Sequence, residues 1–305
     1  MKNIRIRVPA SSGNLGPGFD TLGLAVNLYN DFELSLEGER IQIQLREGMD
    51  PALEPLCLNM VQAVADLFFQ RSGLEPVPFL LKTYNHIPLA RGLASSATIR
   101  LAVLAGLNHL LDARVDGREI VKWAAELEGS TDNVASCYYG GITASGIIQN
   151  QLLCYRFDLS PEIDFVAVSP THFVETDHAR TVFPSHVPRE DAIFTLTRGI
   201  LLALAFATND YEGMRNLFDD RLHQNYRQEH IPALNSLFEV ISSAVQAGAI
   251  GAFLSGSGST VMALTRSNRE NVAHAMRTAF SRSNMESEAR YLKGDNQGLR
   301  ITPMD

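Results

Sequence analysis

The sequence predicts an α+β fold, in which helices and strands are mixed, divided into two domains. The chain has 305 residues, and a domain commonly has about 100–200 residues, so two domains are expected. Alternating apolar residues, typical of strands, run through the N-terminal part as far as Leu45. Apolar residues spaced by three and four, typical of helices, follow from Leu56 onward. A second series of strands and helices begins after Gly140-Gly141, which predicts domains over residues 1–155 and 156–305.

Each predicted element rests on one of these two periodicities. In the first half, strands are expected at residues 4–8, 28–36 and 41–45, and helices at 56–69, 97–111 and 120–127. In the second half, strands are expected at 143–148, 152–157 and 165–168, and helices at 192–207, 231–247 and 269–281. Residues 251–264 predict two strands joined by a glycine-rich turn, and residues 291–301 predict a closing hairpin.

The composition narrows the class of protein. Apolar residues make up 45% and charged residues 20% of the chain, which is ordinary globular usage and excludes extended disorder. Lys and Arg total 26 against 34 Asp and Glu, a net charge of −8, so a nucleic acid is not expected as a partner. A small anion remains an acceptable ligand, because a helix N-terminus can hold a phosphate whatever the net charge.

Cysteine usage and hydropathy predict a cytoplasmic protein with no membrane partner. The three cysteines are widely spaced and form no C-x-x-C pair, which argues against disulfides and thiolate metal sites. The first eight residues alternate apolar and charged types and lack the apolar stretch of a signal peptide. The longest apolar run, residues 199–207, is shorter than the roughly 20 residues needed to cross a bilayer. Neither H-E-x-x-H nor G-x-S-x-G occurs, so a zinc enzyme and a serine hydrolase are not expected.

Residues 88–98 have the composition of a phosphate-binding loop that leads into a helix. Glycine permits close backbone approach, and the unpaired N–H groups of a first helical turn attract anions. The alternative is that the serines only cap the helix, and capping is compatible with phosphate binding. The candidate residues are Pro88, Leu89, Ala90, Arg91, Gly92, Leu93, Ala94, Ser95, Ser96, Ala97 and Thr98.

Three further segments carry candidate chemistry. Residues 251–261 alternate Gly and Ser within an apolar run, which suits either an anion-binding concavity or a flexible turn. Residues 9–23 form a long polar loop rich in Gly and Pro after the first strand. Residues 128–135 carry two carboxylates and an amide, of which Glu128 is either an oxygen ligand for Mg²⁺ or a plain surface charge.

In this order, the segments 14–23, 88–98, 128–135 and 251–264 resemble the successive motifs of the GHMP kinases, over nearly the whole chain. Within that family, segments 14–23, 176–180 followed by Pro184, and 220–227 resemble the homoserine kinases most. The resemblance implies a ribosomal-protein-like βαβ N-terminal domain and a ferredoxin-like C-terminal domain, with ATP and substrate between them. It also implies phosphorylation of L-homoserine in threonine biosynthesis, and a homodimer. A kinase for another carboxylate-bearing alcohol and a silent nucleotide-binding paralogue are the alternatives.

The resemblance also assigns roles to the candidate residues. Residues 88–98 would wrap the ATP phosphates, Ser96 and Glu128 would hold Mg²⁺, and Asn59 would lie near the adenine and ribose. The loop around Gly256, Ser257 and Gly258 would support the phosphate loop.

The substrate residues follow from the same resemblance. Arg180 and Arg227 would bind the carboxylate, for which the planar guanidinium is suited. Asp20 and Asp132 would lie near the ammonium and the hydroxyl, with the amides of Asn14 and Asn133 in the same pocket. Catalysis would rest on alignment, with Asn133 orienting the hydroxyl and Asp132 binding substrate or acting as a weak base.

The sequence departs from the family pattern in three places. Ala94 stands where glycine is usual, although Cβ disfavours a positive φ. Ser130-Thr131 replaces His-Pro ahead of Asp132, so an imidazole near the substrate is missing. Ser259 replaces a proline after the Gly-Ser-Gly loop.

Overall fold

The protein is described by a computed structural model that covers residues 3–45, 53–171 and 176–304. The side chains of residues 176–178, which belong to one of the motifs above, lie outside the described residues. The described chain folds into two β-sheets, one with seven strands and one with four, with helices packed against them. This is the two-domain α+β arrangement that the sequence predicts.

The first sheet is built mainly from the N-terminal half. Its long strands β1 and β2 pair antiparallel from Asn3↔Ser35 to Gly13↔Gly23, with a register shift between Pro9 and Ala10. The order across the sheet is β11-β1-β2-β4-β3, with β5 joined to β2 and β6 joined to β5. The strand bounds are β1 Asn3–Gly13, β2 Leu22–Ser35, β3 Gln42–Gln44, β4 Leu80–Asn85, β5 Ile142–Ile148, β6 Gln151–Phe157 and β11 Arg300–Pro303.

Helix α2 (Ser95–Leu110) is the central helix of this half. It contacts β1 and three other helices, and it is buried around most of its circumference. At Gly106 the helix approaches the sheet so closely that an added Cβ would lie 2.7 Å from Cδ1 of Ile6. The helices around it are α1 Glu54–Ser72, α3 Gly117–Glu128 and α4 Asp132–Tyr139.

The second sheet has the ferredoxin-like topology. Its antiparallel order is β10-β7-β9-β8, with α8 between β7 and β8 in the chain and α9 between β9 and β10. Both helices pack against the sheet and against each other. The bounds are β7 Asp164–Pro170, α8 Leu237–Gln246, β8 Gly251–Leu254, β9 Val261–Thr265, α9 Arg269–Arg282 and β10 Ser287–Leu292.

Three helices between β7 and α8 bring residues of the C-terminal half toward the first sheet. They are α5 Thr176–Thr181, α6 Arg189–Thr208 and α7 Gln224–His230. The helix predicted over 231–247 is shorter than expected: after α7 a 3₁₀ turn begins at Pro232, and α8 begins at Leu237. Pro232 accounts for the end of α7 at His230, because proline lacks the N–H that a helix interior needs.

The closing hairpin predicted over 291–301 does not form. β10 belongs to the second sheet, whereas β11 pairs with β1 in the first, from Ile4↔Pro303 to Arg7↔Arg300. The linking segment is held by Asp295, whose N–H donates to the carbonyl of Ala25 at 3.0 Å. The turn signal at Gly294 therefore marks a crossing between the two sheets.

Helix α6 is unusually apolar on its exposed side. Its 20 residues and mean hydropathy of 1.5 would suffice to span a membrane by length and composition, although only 22% of that window is buried. The apolar run predicted from the sequence, residues 199–207, is shorter than this helix and begins after Arg198. One face of α6, including Leu202 and Phe206, packs into a cluster shared by both sheets. The opposite face exposes Ile193, Leu196, Ile200, Leu201 and Leu204.

The residue before α2 supplies a test of local backbone strain. Ala94 has φ 62° and ψ 31°, the left-handed conformation that favours glycine. We expect Ala94→Gly to raise the free energy of unfolding by about 0.5–1 kcal/mol, since relief of the Cβ clash exceeds the entropy that glycine adds to the unfolded chain. Urea unfolding measures it. Ala102→Gly, inside α2, is the matched control and should lower stability by about 1 kcal/mol; a fall for both variants would contradict the interpretation.

Candidate active site

A cavity of about 270 Å³ lies where the phosphate-loop segment, the turn before α4 and the helices α5 and α7 meet. The structure brings together in it residues from six of the segments singled out in the sequence. Its lining includes Asn14, Asp20, Leu89, Ala90, Arg91, Gly92, Ala94, Ser95, Ser96, Glu128, Asp132, Asn133, Arg180, Arg227, Gly256 and Ser257.

The segment 88–98 lines one end of the cavity and leads into α2, whose first residues also line it. Gly92 has φ +73°, and an added Cβ there would lie 2.0 Å from the carbonyl oxygen of Ser255, so only glycine fits. The hydroxyl of Ser95 is buried and has no hydrogen-bond partner among the described residues. The first turn of the 16-residue helix α2, whose N–H groups have no partner within the helix, also lies at this end of the cavity. Together they form a cradle with donors left for an anion.

Four members of the predicted phosphate segment do not line the cavity, and three of them, Leu93, Ala97 and Thr98, are buried instead. Leu93 and Ala97 are buried in the apolar clusters. The hydroxyl of Thr98 accepts from Nδ2 of Asn30 at 2.9 Å and donates to the carbonyl of Ser95 at 2.7 Å. Pro88 lies outside the lining residues. They hold the loop in place behind the surface that faces the cavity.

The Gly-Ser loop between β8 and β9 docks directly on the phosphate-loop segment. The hydroxyl of Ser255 donates to the carbonyl of Gly92 at 2.6 Å, and the N–H of Thr260 donates to the carbonyl of Arg91 at 3.2 Å. The N–H of Gly256 donates to the carbonyl of Gly13 at 3.1 Å. Gly256 and Ser257 reach the cavity, whereas Gly258 lies outside its lining.

Ser96 and Glu128 form a pair of oxygen donors beside the cradle. The Ser96 hydroxyl donates to Oε1 of Glu128 at 2.7 Å. The second carboxylate oxygen forms an ion pair with Arg100, one turn further along α2. Among the described residues there is no cluster of three His, Cys, Asp or Glu that could hold a metal. This donor set fits Mg²⁺ only together with phosphate oxygens, which is how that ion is commonly bound.

Asp132 is a buried carboxylate at the start of α4. Its Oδ1 accepts a hydrogen bond from the Ser130 hydroxyl at 2.7 Å. Burial, followed by the nearby charge of Asp20, raises the pKa of Asp132. Gly13 leaves it space, since a Cβ there would lie 2.1 Å from Oδ2. Ser130 therefore supplies a donor at the position where the family pattern has histidine.

The neighbouring amide of Asn133 is oriented by the first strand. The hydroxyl of Ser11 donates to Oδ1 of Asn133 at 2.9 Å. Because this bond occupies the amide oxygen, the NH₂ group is the part of the side chain left to donate toward the cavity.

Arg180 and Asp20 form a bidentate ion pair that also lines the cavity. Nη1 and Nη2 of Arg180 donate to Oδ2 and Oδ1 of Asp20, both at 3.1 Å. Nε of Arg180 is buried and has no hydrogen-bond partner among the described residues. The two side chains are about one third exposed, at 33% and 36%, so the pair borders the open cavity.

Arg227 is almost completely buried, at 2% exposure, and still borders the cavity. Its Nη1 donates to the carbonyl of Gly256 at 2.8 Å, and Nδ2 of Asn14 donates to the same carbonyl at 2.9 Å. The guanidinium lies 5.6 Å from the ring centre of Phe19 and 5.1 Å from that of Phe183. Burial lowers the pKa of Arg227 to about 10, so it stays charged at neutral pH.

An apolar end of the cavity was not foreseen from the sequence. Leu53, Cys57, Met60 and Ile99 line it with Leu89. Asn59, predicted as an adenine or ribose contact, is exposed on α1 and lies outside the lining. The helical spacing of Leu53, Cys57 and Met60 was the available signal, but it is the same spacing that predicts a core face.

Comparison with known proteins gives this arrangement a family. The family model of the GHMP kinases N-terminal domain matches residues 59–141, and that of the GHMP kinases C-terminal domain matches residues 202–282. A homoserine kinase from Moorella thermoacetica is 38% identical over 298 residues, 97% of this chain and 99% of that protein. A homoserine kinase from Caldanaerobacter subterraneus subsp. tengcongensis is 34% identical, over 98% of this chain and 95% of that protein.

A solved structure agrees with the sequence relatives. The crystal structure of homoserine kinase from Cytophaga hutchinsonii matches with a TM-score of 0.84 and 26% identity, covering 98% of this chain and 97% of that chain. Both halves of the fold and the order of the motifs are thus accounted for by one family. The chain belongs to the GHMP kinase family.

Proposed function

We propose that the protein transfers the γ-phosphoryl group of ATP to the side-chain hydroxyl of L-homoserine, giving O-phospho-L-homoserine for threonine biosynthesis. The observation that carries the proposal is that Arg180 and Arg227 line the same cavity as Ser95 and Ser96. A phosphate cradle and two guanidinium groups in one cavity suit a nucleotide beside a carboxylate. The curated relatives, which are named homoserine kinases, support the choice of amino acid.

The Asp20–Arg180 pair matches the charges of a zwitterionic amino acid. An α-carboxylate complements Arg180, and an α-ammonium complements Asp20, so one substrate satisfies both partners when their mutual bonds open. The unpartnered Nε of Arg180 adds a donor for the carboxylate. Burial of Arg227 strengthens its attraction for an anion, because little water screens it. A neutral sugar would leave these charges without partners.

The hydroxyl end of the substrate would lie beside Asp132 and Asn133. The Asn133 NH₂ group donates to the hydroxyl oxygen, which leaves the hydroxyl proton for an acceptor such as Asp132. Because the pKa of Asp132 is raised by burial, the carboxylate is a better proton acceptor than an ordinary aspartate. Transfer passes through a loose transition state, so alignment contributes most of the rate.

At the nucleotide end, the N–H groups of α2 and the Ser95 hydroxyl would hold phosphate oxygens. Ser96 and Glu128 would hold Mg²⁺, which supplies charge neutralisation to the phosphates when bound. The apolar end formed by Cys57, Met60 and Ile99 would cover the adenine ring.

A coupled assay of ADP release with homoserine, mevalonate and sugars tests the function. We expect release with homoserine alone, because only homoserine presents an ammonium and a carboxylate to Asp20 and Arg180. Release with another carboxylate-bearing alcohol instead would assign a sibling kinase. ATP binding without release for any acceptor would favour a non-catalytic paralogue, and either result would overturn the proposal.

Arg180→Ala should raise the KM for homoserine by about 10–100-fold and leave the KM for ATP unchanged, since a charge-assisted contact is worth about 1.5–3 kcal/mol. Steady-state kinetics with each substrate varied in turn measure both values. Arg215→Ala is the control, because Arg215 is exposed and pairs with Glu212 away from the cavity. Equal effects of Arg180→Ala on both KM values would contradict the assignment.

Ser96→Ala should raise the KM for Mg²⁺-ATP by about 10-fold, because it removes one oxygen ligand and the bond that orients Glu128. The homoserine KM and the free energy of unfolding should stay near the wild-type values. Kinetics at several Mg²⁺ concentrations and urea unfolding measure these effects. Loss of the folded state in Ser96→Ala would favour the capping role instead.

We infer that the exposed face of α6 is covered by a second copy of this chain, together with one face of the β5–β6 hairpin. Ile142 and Ala144 of β5 pack in the same cluster as Leu202 and Phe206. Because Tyr155 lies opposite Ala144, the exposed residues Ile148, Leu153, Tyr155 and Phe157 share that face of the sheet.

The size and edge of this surface favour self-association. The nine side chains on the two elements are 38–68% exposed and offer on the order of 1,000 Å² of apolar surface, comparable to one partner's share of a stable interface. In the described chain β6 pairs with β5 alone, so its other edge is open. Charged side chains on an exposed edge strand usually prevent it from pairing with another chain. Arg156 of β6 is instead bound to Asp158 and to the carbonyl of Tyr139, so its charge does not guard this edge.

The double variant Leu196→Glu, Leu204→Glu should convert a dimer into a monomer, because it buries four charges in an apolar two-fold interface. Light scattering coupled to size-exclusion chromatography measures the mass. Leu74→Glu, on an exposed residue outside this surface, is the control and should stay dimeric. A monomeric wild-type protein, or a double variant that remains dimeric, would overturn the inference.

We also propose that the enzyme works in the cytoplasm. All three cysteines, Cys57, Cys137 and Cys154, are free thiols in the structure, which suits a reducing compartment. ATP, the phosphoryl donor, would be drawn from the same compartment.

A further inference from the structure

A buried polar cluster lies behind Arg227, on the side away from the open cavity. It contains Asp220 and His223, whose side chains are both completely buried. Oδ1 of Asp220 accepts from the N–H groups of Leu222 and His223, both at 2.7 Å, so the carboxylate fixes the turn into α7. Neither side chain lines the cavity, and the phosphoryl transfer proposed above does not use them.

The hydrogen bonds of His223 define which ring nitrogen carries the proton. Nη1 of Arg227 lies 3.1 Å from Nδ1 of His223, and an arginine can only donate, so Nδ1 is the acceptor. Nε2 lies 2.8 Å from the carbonyl of Gly16, which can only accept, so Nε2 carries the hydrogen. Oδ2 of Asp220, at 3.4 Å from Nε2, favours the same tautomer. His223 is therefore neutral and protonated on Nε2.

His223 joins two parts of the substrate site through these bonds. Gly16 lies in the loop that carries Asn14 and Asp20, and Arg227 is one of the two guanidinium groups in the cavity. The ring of Phe19, in the same loop, stacks on His223 with ring centres 5.0 Å apart and an angle of 19°. The loop is tightly packed at this point, because a Cβ on Gly16 would lie 2.0 Å from the carbonyl oxygen of Phe218.

We propose that His223, held by Asp220, is a positioning residue that fixes Arg227 and the loop of Asp20 at one spacing for the substrate's carboxylate and ammonium. It contacts neither substrate nor phosphate, and it acts through Arg227 and Gly16. The kinetic part of this proposal rests on the proposed function, because homoserine is the substrate that reports it.

The charges around His223 agree with this role. The titratable groups that face it are Asp220, Arg227 and Asp20. Burial lowers the pKa of His223 by more than the carboxylate of Asp220 raises it, and the positive charge of Arg227 also lowers it. A proton added to Nδ1 would remove one of the acceptors of Arg227 and set two cations side by side. The folded protein therefore keeps the ring neutral, and acidification below the usual histidine pKa costs stability.

Two substitutions separate the two bonds of the ring. In His223→Asn the amide oxygen can take the place of Nδ1, so the bond from Arg227 is retained and the bond to Gly16 is lost. In His223→Gln the longer side chain puts its NH₂ group near the place of Nε2, so the bond to Gly16 is retained and Arg227 loses its acceptor. His230→Asn, on an exposed histidine of the same helix, is the control.

The kinetic test compares the effect of each variant on the KM for homoserine with its effect on the KM for ATP. We expect His223→Gln to raise the homoserine KM by about 10-fold or more, with little change in the ATP KM. His223→Asn, which loses the bond to Gly16 and keeps the bond from Arg227, should raise the homoserine KM by less than His223→Gln does, and His230→Asn should behave as wild type. A purely structural role predicts loss of stability in both His223 variants with unchanged KM values, and that result would overturn the proposal.

A crystal structure of each His223 variant tests the position of Arg227 without any substrate. We expect the guanidinium to leave the carbonyl of Gly256 in His223→Gln and to keep it in His223→Asn. An unmoved Arg227 in His223→Gln would overturn the proposal. Failure of wild-type protein to phosphorylate homoserine would instead overturn the proposed function, and the crystallographic result would still decide the role of His223.

Discussion

The contact between the Gly-Ser loop of the second sheet and the loops of the first is the constraint on which the site depends. The carbonyl of Gly256 accepts from Asn14 and from Arg227, while its N–H donates to Gly13. The backbone of one residue thus holds the loop after β1 and helix α7. The hydroxyl of Ser255 donates to the carbonyl of Gly92, so the phosphate-loop segment is also held by the Gly-Ser loop. The cavity exists because these chain segments meet there.

Charge is distributed in the site according to burial. Asp20 and Arg180, at the open edge, neutralise each other and can exchange partners with a zwitterion. Arg227 and Asp132 are buried and are held by neutral dipoles, a carbonyl and a hydroxyl respectively. Because a dipole costs less to reorganise than an ion pair, the buried charges remain available to a ligand. In the proposed reaction, the open pair would select the substrate and the buried groups would align it.

Much of the fold was predictable, because strands and helices with a clear period fall where the sequence places them. The predictions were wrong where the same short sequence is compatible with two different local structures. The helix expected over 231–247 begins only at Leu237, after a 3₁₀ turn that starts at Pro232, and the turn signal at Gly294 proved to be a crossing between sheets.

The same limit applies to the site. Its polar residues could be predicted because their types and order are typical of a family, whereas Cys57 and Met60 could not, since apolar lining and apolar core look alike. The Asp20–Arg180 bond joins residues 160 apart in the chain, a distance at which a single sequence gives no pairing information.

The return of β11 to the first sheet has a consequence for how the chain folds while the ribosome makes it. β11 lies beside β1, yet the ribosome makes it only after all four strands of the second sheet. One edge of the first sheet therefore stays uncovered while the rest of the polypeptide emerges. During translation the second sheet can close before the first is complete, so the half that is made first is the last to be finished.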